Sequence, residues 1–261
     1  MEIYIYIEGA GNEDDTELIS RQRPGFRSGI ISGKETTRSL SPGFYSFFQE
    51  LYNIAEINDM KIRLIMCGSR VKAYQSFKWG LEDHPEAFNV LLIDSESPVS
   101  PDDTPWQHLR NREEDQPWIL DSLSFNDEQC HLMVQSMEAW FVADVNALKN
   151  FYGEGFKEEK IMREMAKHEN LEQVSKATLF QWLKAATRNS NQGTYTKQTK
   201  RNPIHALEIL KRLDANKVRQ ASPYCDRILT TIKAIIDVSN LPLSAPLRLC
   251  VSHIHSKIQK K

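Results

Sequence analysis

Four short apolar runs, each closed by a polar or glycine residue, restrict this chain more than any other feature. They are Ile3-Tyr4-Ile5-Tyr6-Ile7, residues 61–66 (Lys-Ile-Arg-Leu-Ile-Met), residues 88–93 and residues 130–135. Runs of this length, rich in β-branched and aromatic residues and bounded by breakers, read as buried strands rather than helices. Helical patterns fall between them. Ser41-Pro42 opens one, with Ser as N-cap, Pro at the first position, and an apolar face of Phe44, Phe47, Phe48, Leu51 and Ile54. Ser69 caps a second through about Leu81, and Met137–Tyr152 is a third, ended by Gly153. The alternation of strand and helix predicts an α/β fold, a mainly parallel sheet flanked by helices with right-handed crossovers.

The alternation is interrupted twice. Residues 9–41 carry Gly, Asn, Asp, Ser, Thr and Arg with little periodicity and read as a long functional or mobile loop. Residues 97–128, with Pro98, Pro101, Pro105 and Pro117, read as an insertion or lid with one helical turn around Trp106–Arg112. After Gly155 only helical patterns follow, roughly 157–168, 175–188, 203–213, 215–220 and 223–237. The expected organisation is an α/β domain over 1–155, an α-helical subdomain over 156–237, and a basic tail over 238–261.

Acidic residues follow three of the strands. Glu8-Gly9 closes the first, Asp94-Ser95-Glu96 the third, and Ser136-Met137-Glu138 the fourth. In an open parallel sheet, ligands bind outside the carboxyl ends of the strands. Carboxylates gathered there suit a hard cation such as Mg²⁺ or Mn²⁺, and the competing reading is solvated loop charge. Residues two apart on an extended segment point the same way, so Asp94 and Glu96 could address one cation if the chain stays extended past Ile93. Asp144 lies six positions after Glu138, about 240° around a helix, and is expected to be structural. Glu13, Asp14 and Asp15 read as solvated loop charges.

Anion-binding candidates lie elsewhere. Cys67-Gly68-Ser69-Arg70, with Lys72 and Tyr74, stands at a strand-to-helix junction, where a helix N-terminus and the Arg70 fork could bind phosphate; the alternative is an ordinary capped helix with an exposed Arg. Tyr195, Lys197, Lys200 and His205 cluster before a helix and could contact a substrate phosphate, although a lone His is more often a packing or surface residue. Trp140, Phe141, Phe151 and Tyr152 have helical spacing and read as core.

Composition removes several function classes. With 33 basic against 35 acidic residues the whole chain has no electrostatic footprint for nucleic acid. The charge is unevenly spread, however: residues 94–144 are acid-rich and 176–219 basic, so a basic half could hold a polyanion over a metal, or could simply be a solvated helical face. Cys67, Cys130, Cys225 and Cys250 form no C-x-x-C pair and have no His at zinc spacing, which argues against structural zinc. No P-loop, dinucleotide fingerprint or G-x-S-x-G occurs. The first apolar run is five residues long, and none approaches the roughly 20 that a membrane helix needs. A cytoplasmic protein with reduced thiols and no membrane association is expected.

Beyond these spacings, a set of motifs resembles a bacterial family. Tyr6-Ile7-Glu8-Gly9, Cys67-Gly68-Ser69-Arg70 with Ala73-Tyr74 and Phe77, Leu91-Leu92-Ile93-Asp94-Ser95-Glu96, and the block from His131 through Ser136-Met137-Glu138-Ala139-Trp140-Phe141 to Asp144 carry the likeness. Tyr152-Gly153, Lys176, Tyr195, Lys197 and His205-Ala206 extend it to about residue 237. Together they resemble the "domain of unknown function 4276" family, which looks like a branch of the Toprim superfamily of topoisomerases, primases and nucleases that accompany ATPases in phage defence. The resemblance implies a Toprim-like fold and Mg²⁺ or Mn²⁺ held by Glu8, Asp94 and Glu96, with Glu96 standing where the pattern has Asp. The function expected on that basis is a metal-dependent nuclease acting on DNA or RNA, an effector in a phage-defence system with an AAA- or ABC-type ATPase partner. In it Glu8, Asp94, Glu96 and Glu138 serve the reaction, and Arg70, Lys72, Lys176, Lys197 and His205 bind substrate. Two alternatives stand beside it: a non-catalytic regulatory or sensor subunit of an ATPase complex, and a phosphotransferase acting on a small nucleotide.

Overall fold

The structure is a computed structural model and describes residues 1–9, 39–119, 125–196 and 205–239. Four strands, β1 (Glu2–Ile7), β2 (Lys61–Met66), β3 (Phe88–Asp94) and β4 (Cys130–Met133), form one sheet in the order β2-β1-β3-β4. Every neighbouring pair is parallel. The helices in the first half are α1 (Ser41–Phe47), α2 (Gln49–Ile57), α3 (Arg70–Asp83), α4 (Pro105–Asn111) and α5 (Gln116–Ile119). Then follow α6 (Glu138–Ala143), α7 (Val145–Tyr152), α8 (Glu158–Met165), α9 (Lys176–Thr187), α10 (His205–Leu210), α11 (Ala215–Ala221) and α12 (Pro223–Ser239).

Period-two alternation divides each strand between two cores. Ile3, Ile5, Ile7, Ile62, Leu64, Met66, Val90, Leu92 and Met133 face one core, and Tyr4, Tyr6, Ile65, Leu91, Ile93 and Leu132 face the other. Burial on both faces is what an all-parallel sheet requires, and it explains the near-continuous apolar runs. The first core runs on from the sheet through Phe44, Trp140, Leu148 and Tyr152 into Leu179, Leu183, Leu207, Ile228 and Ile232. The helices after Gly155 therefore share the core of the α/β half and are not set off by one of their own. α12 packs on β4 and α2, and α10 on α1.

The second face is closed by α3 and by the segment expected to be an insertion or lid. Trp106 is 1% exposed and packs with Tyr74, Phe77 and Phe125. Thr104 and Gln107 form a capping box that starts α4, and Trp106 Nε1 donates to the Asn126 carbonyl at 3.0 Å. The described part of 97–128 is thus a wall of the core, because a Trp placed one position into a capped helix is held against aromatic side chains.

The edge of β4 is covered rather than open. Arg227 donates to the carbonyls of Cys130 (2.7 Å) and Asp127 (2.6 Å) and to His131 Nδ1 (3.0 Å). Covering an edge in this way removes a template for strand pairing.

Two helices expected to be continuous are broken. Phe48 (φ −91°, ψ 13°) separates α1 from α2. Asp144 (φ −116°, ψ 79°) separates α6 from α7. Asp144 is structural, as its angular separation from Glu138 implied, but through a different geometry. Its carboxylate caps Ala147 N at 3.3 Å and accepts from Asp214 N at 2.9 Å and Lys217 Nζ at 3.0 Å. Most of the loop at 9–41, the tail from residue 240, and Lys197 and Lys200 lie outside the described residues.

Candidate functional site

The strand order reverses direction between β1 and β3, so the sheet has a topological switch point there, where a crevice opens beyond the strand ends. Glu8 follows β1 and Asp94 ends β3, which puts one carboxylate on each side of that crevice. The two are tied together: Glu8 N donates to the Leu92 carbonyl at 3.0 Å, and Glu8 Oε2 accepts from Asp94 N at 3.2 Å. Burial pushes the Glu8 carboxyl above its ordinary range, against the pull of the Arg70 charge and the Asp94 amide.

Asp94 turns one oxygen to the chain and the other to a cation. Oδ1 accepts from Met137 N at 3.0 Å, which anchors the turn leading into α6, and Oδ2 lies 3.6 Å from Lys176 Nζ. Glu96 reaches the same ammonium at 2.6 Å. The chain does not stay extended past Ile93, so the two carboxylates do not meet by strand alternation. Glu96 has φ 64°, a left-handed conformation uncommon for a side chain of its type, and its N–H donates to the Gln135 carbonyl at 2.9 Å. That turn folds Glu96 back over the sheet edge. Outliers of this kind cost on the order of 1–3 kcal/mol and gather at functional sites.

Glu138 begins α6 and is 2% exposed. Tyr195, wholly buried, donates its hydroxyl to Glu138 Oε1 at 2.9 Å. Tyr195 N in turn donates to Thr187 Oγ1 at 2.7 Å, at the far end of α9. Lys176 begins the same helix, after the Ser175 cap. Burial works against the charge on Lys176, but Glu96, Asp94 and Glu138 outweigh it and raise its pKa. One ammonium is therefore the counter-ion of acidic residues drawn from the ends of β3 and β4.

Other candidates stand differently. Arg70 is committed to the protein: it donates to the Asp94 carbonyl at 2.6 Å and pairs with Asp115 at 3.4 Å. Asp115, 1% exposed, also accepts from Arg112 at 2.8 Å, and Arg112 reaches Ser97 Oγ at 3.1 Å. Arg70 thus props the end of β3 instead of presenting an open fork to phosphate. Lys72 lies partly buried in the first turn of α3, where its N–H donates to Ser69 Oγ at 3.4 Å.

His205 is 2% exposed, bonded to Tyr152 at 3.0 Å and packed against Phe151, which matches the packing alternative open to a lone His. Much of the basic stretch is also paired internally, Lys211 and Arg212 with Glu208, Lys217 with Asp144, and Arg219 with Asp226. The importance of Asp115 was not visible in the sequence: three acids follow Arg112, and nothing marks the last as the one that turns inward.

The donor set has the chemistry of a hard-cation site, carboxylate oxygens around a positive charge. In this structure the positive charge among them is the Lys176 ammonium. Among the described residues no three His, Cys, Asp or Glu side chains close on one point at metal-ligand spacing; Asp94 and Glu96 close on the ammonium instead. Nor, among the described residues, is any helix long and apolar enough to cross a membrane.

The family model described as Domain of unknown function (DUF4276) matches residues 33–233, which include Asp94, Glu96, Glu138, Lys176 and Tyr195 but not Glu8. No curated protein and no solved structure matches the chain.

Proposed function

We propose that this chain, which belongs to the DUF4276 family, is a Mg²⁺- or Mn²⁺-dependent nuclease that hydrolyses phosphodiester bonds at the carboxyl edge of its sheet. The observation that carries the reading is the meeting of Asp94 and Glu96 on a single positive charge at the switch point, with Glu8 bonded to the Asp94 amide. Asp94 and Glu96, with Glu8, would hold the metal, and Glu138 would assist. A bound divalent cation supplies charge neutralisation at phosphorus and an activated water. The protein's own groups set the geometry. Met137 N orients Asp94, Tyr195 orients Glu138, and Arg70 fixes the strand end from which Asp94 projects. The opening of α3, with Lys72, faces the same edge and suits an anionic backbone. A cytoplasmic setting, a nucleic-acid substrate and an ATPase partner in phage defence belong to this reading.

One observation favours a second reading, a regulatory subunit with a silent site: Lys176 already neutralises the acidic pair. Cleavage of single- and double-stranded DNA and RNA with Mn²⁺ or Mg²⁺ decides between them. Asp94→Asn is the informative variant, because the amide oxygen still accepts from Met137 N while the charge is gone. Wild-type cleavage that falls roughly 10²-fold or more in Asp94→Asn, with an unchanged melt, supports the nuclease; losses of that size follow removal of one charge-stabilising group. A wild type inert on all four substrates, alone and with ATPase and ATP, supports the regulatory reading.

A further inference from the structure

We propose that Lys176 is a built-in cation that holds the acidic site closed and is displaced when a divalent cation binds. The inference rests on the divalent site proposed above and says how that site is loaded. Nζ lies 2.6 Å from Glu96 Oε1 and 3.6 Å from Asp94 Oδ2. A Mg²⁺ ion needs oxygens at roughly 2.0–2.1 Å in near-octahedral array. Ion and ammonium cannot share these oxygens, because the ammonium fills the space and like charges a few ångströms apart repel strongly in a partly buried site.

The lysine can leave without disturbing the fold. Its backbone is the first residue of α9, fixed by Ser175 Oγ accepting from Thr178 N at 3.2 Å and by burial of Leu179 and Leu183. Its side chain is 29% exposed, so the flexible stem already borders solvent. The remaining scaffold is already in place. Glu8 Oε2 is bound to Asp94 N and Asp94 Oδ1 to Met137 N, so Asp94 Oδ2 and Glu96 Oε1 are the oxygens that exchange one cation for another. The apparent metal affinity is lowered by the fraction of molecules whose lysine is out.

The test uses the full chain and Mn²⁺ alone. Mn²⁺ affinity is measured by calorimetry and by electron paramagnetic resonance for wild type, Lys176→Met and a Lys184→Met control, each checked by thermal melt. In parallel, the acylation rate of Lys176 in the wild type is followed by mass spectrometry with and without Mn²⁺, a readout that does not depend on the variant folding. Displacement predicts Mn²⁺ affinity on the order of tenfold higher in Lys176→Met, if about a tenth of molecules have the lysine out. It also predicts severalfold faster acylation of Lys176 on metal addition, and no change in the control. Mn²⁺ binding by Lys176→Met but not by wild type supports the proposal equally. Wild-type binding with unchanged acylation and no gain in Lys176→Met overturns displacement and leaves the metal reading standing. No binding by either protein overturns the divalent site itself, and displacement with it.

Discussion

Removing the hydroxyl of Tyr195 isolates a single bond between the two halves of the chain. Tyr195 is fully buried, and its ring packs edge-on against Phe141 and Phe180 at centroid distances of 6.3 and 5.5 Å. Tyr195→Phe keeps the ring and these contacts and deletes one oxygen. Burial, together with the neighbouring Glu138, holds the phenol well above its ordinary pKa, so it remains a donor across the working pH range. The bond lost is the one to Glu138 Oε1 at 2.9 Å, a hydrogen bond to a carboxylate with almost no access to water. Such bonds contribute about 1.5–3 kcal/mol, and the partner left buried offers little water-mediated compensation. We expect Tyr195→Phe to destabilise by about 2 kcal/mol, which for a chain of this size lowers the melting temperature by roughly 4–8 °C. Urea unfolding of wild type, Tyr195→Phe, Glu138→Gln and the double variant completes the cycle, with an expected coupling of about 1 kcal/mol or more. A cost within about 0.5 kcal/mol of zero, the range of an ordinary surface change, or an additive cycle, would refute the view that Tyr195 holds Glu138.

Burial, with the charge of Arg227 beside it, lowers the His131 pKa to about 3. The unfolded chain takes up that proton near pH 6.5 and the native state refuses it, so stability is lost as pH falls through this window, approaching about 1.4 kcal/mol per pH unit; an NMR titration midpoint near 6.5 for His131 would refute this. Gly80→Ala should destabilise by about 1–3 kcal/mol despite a helix-propensity gain of roughly 1. The added Cβ would overlap the Tyr6 hydroxyl and lie 2.7 Å from Asn89 Oδ1, parting the Tyr6–Asn89 hydrogen bond; urea unfolding that shows a net gain would overturn the packing argument.

The strands were legible because each is a short run that must be buried on both faces, and because Glu8-Gly9, Cys67-Gly68 and Asp94 stop them sharply. Ser69 was legible as a cap for the same local reason. What the sequence hid is tertiary. Apolar spacing continues across Phe48 and Asp144, so the breaks there show only through the partners that stabilise them, Asp214 and Lys217 in the case of Asp144. His205 lies in a basic stretch, yet a tyrosine 53 residues away takes it into the interior. Glu96 joins Asp94 through a left-handed turn that a strand-alternation argument cannot anticipate.

The same long-range pairing explains why the acidic edge and the helical half form one structure. Each carboxylate would be costly if gathered beside the others without compensation, since like charges in a partly buried crevice raise one another's energy. Each is instead answered from a different segment: Glu8 by the backbone at the end of β3, Asp94 by the turn before α6, Glu96 by the first residue of α9, and Glu138 by the tyrosine beyond its last. The two answers from α9 and its flank bracket a helix whose Leu179, Trp182 and Leu183 lie in the sheet's own core. Apolar burial therefore fixes where Lys176 and Tyr195 stand, and their position in turn lets four acids share one crevice. The same helix thus carries core packing through Leu179, Trp182 and Leu183 and supplies the ammonium that meets Glu96, so the acidic edge and the helical half are held by one element.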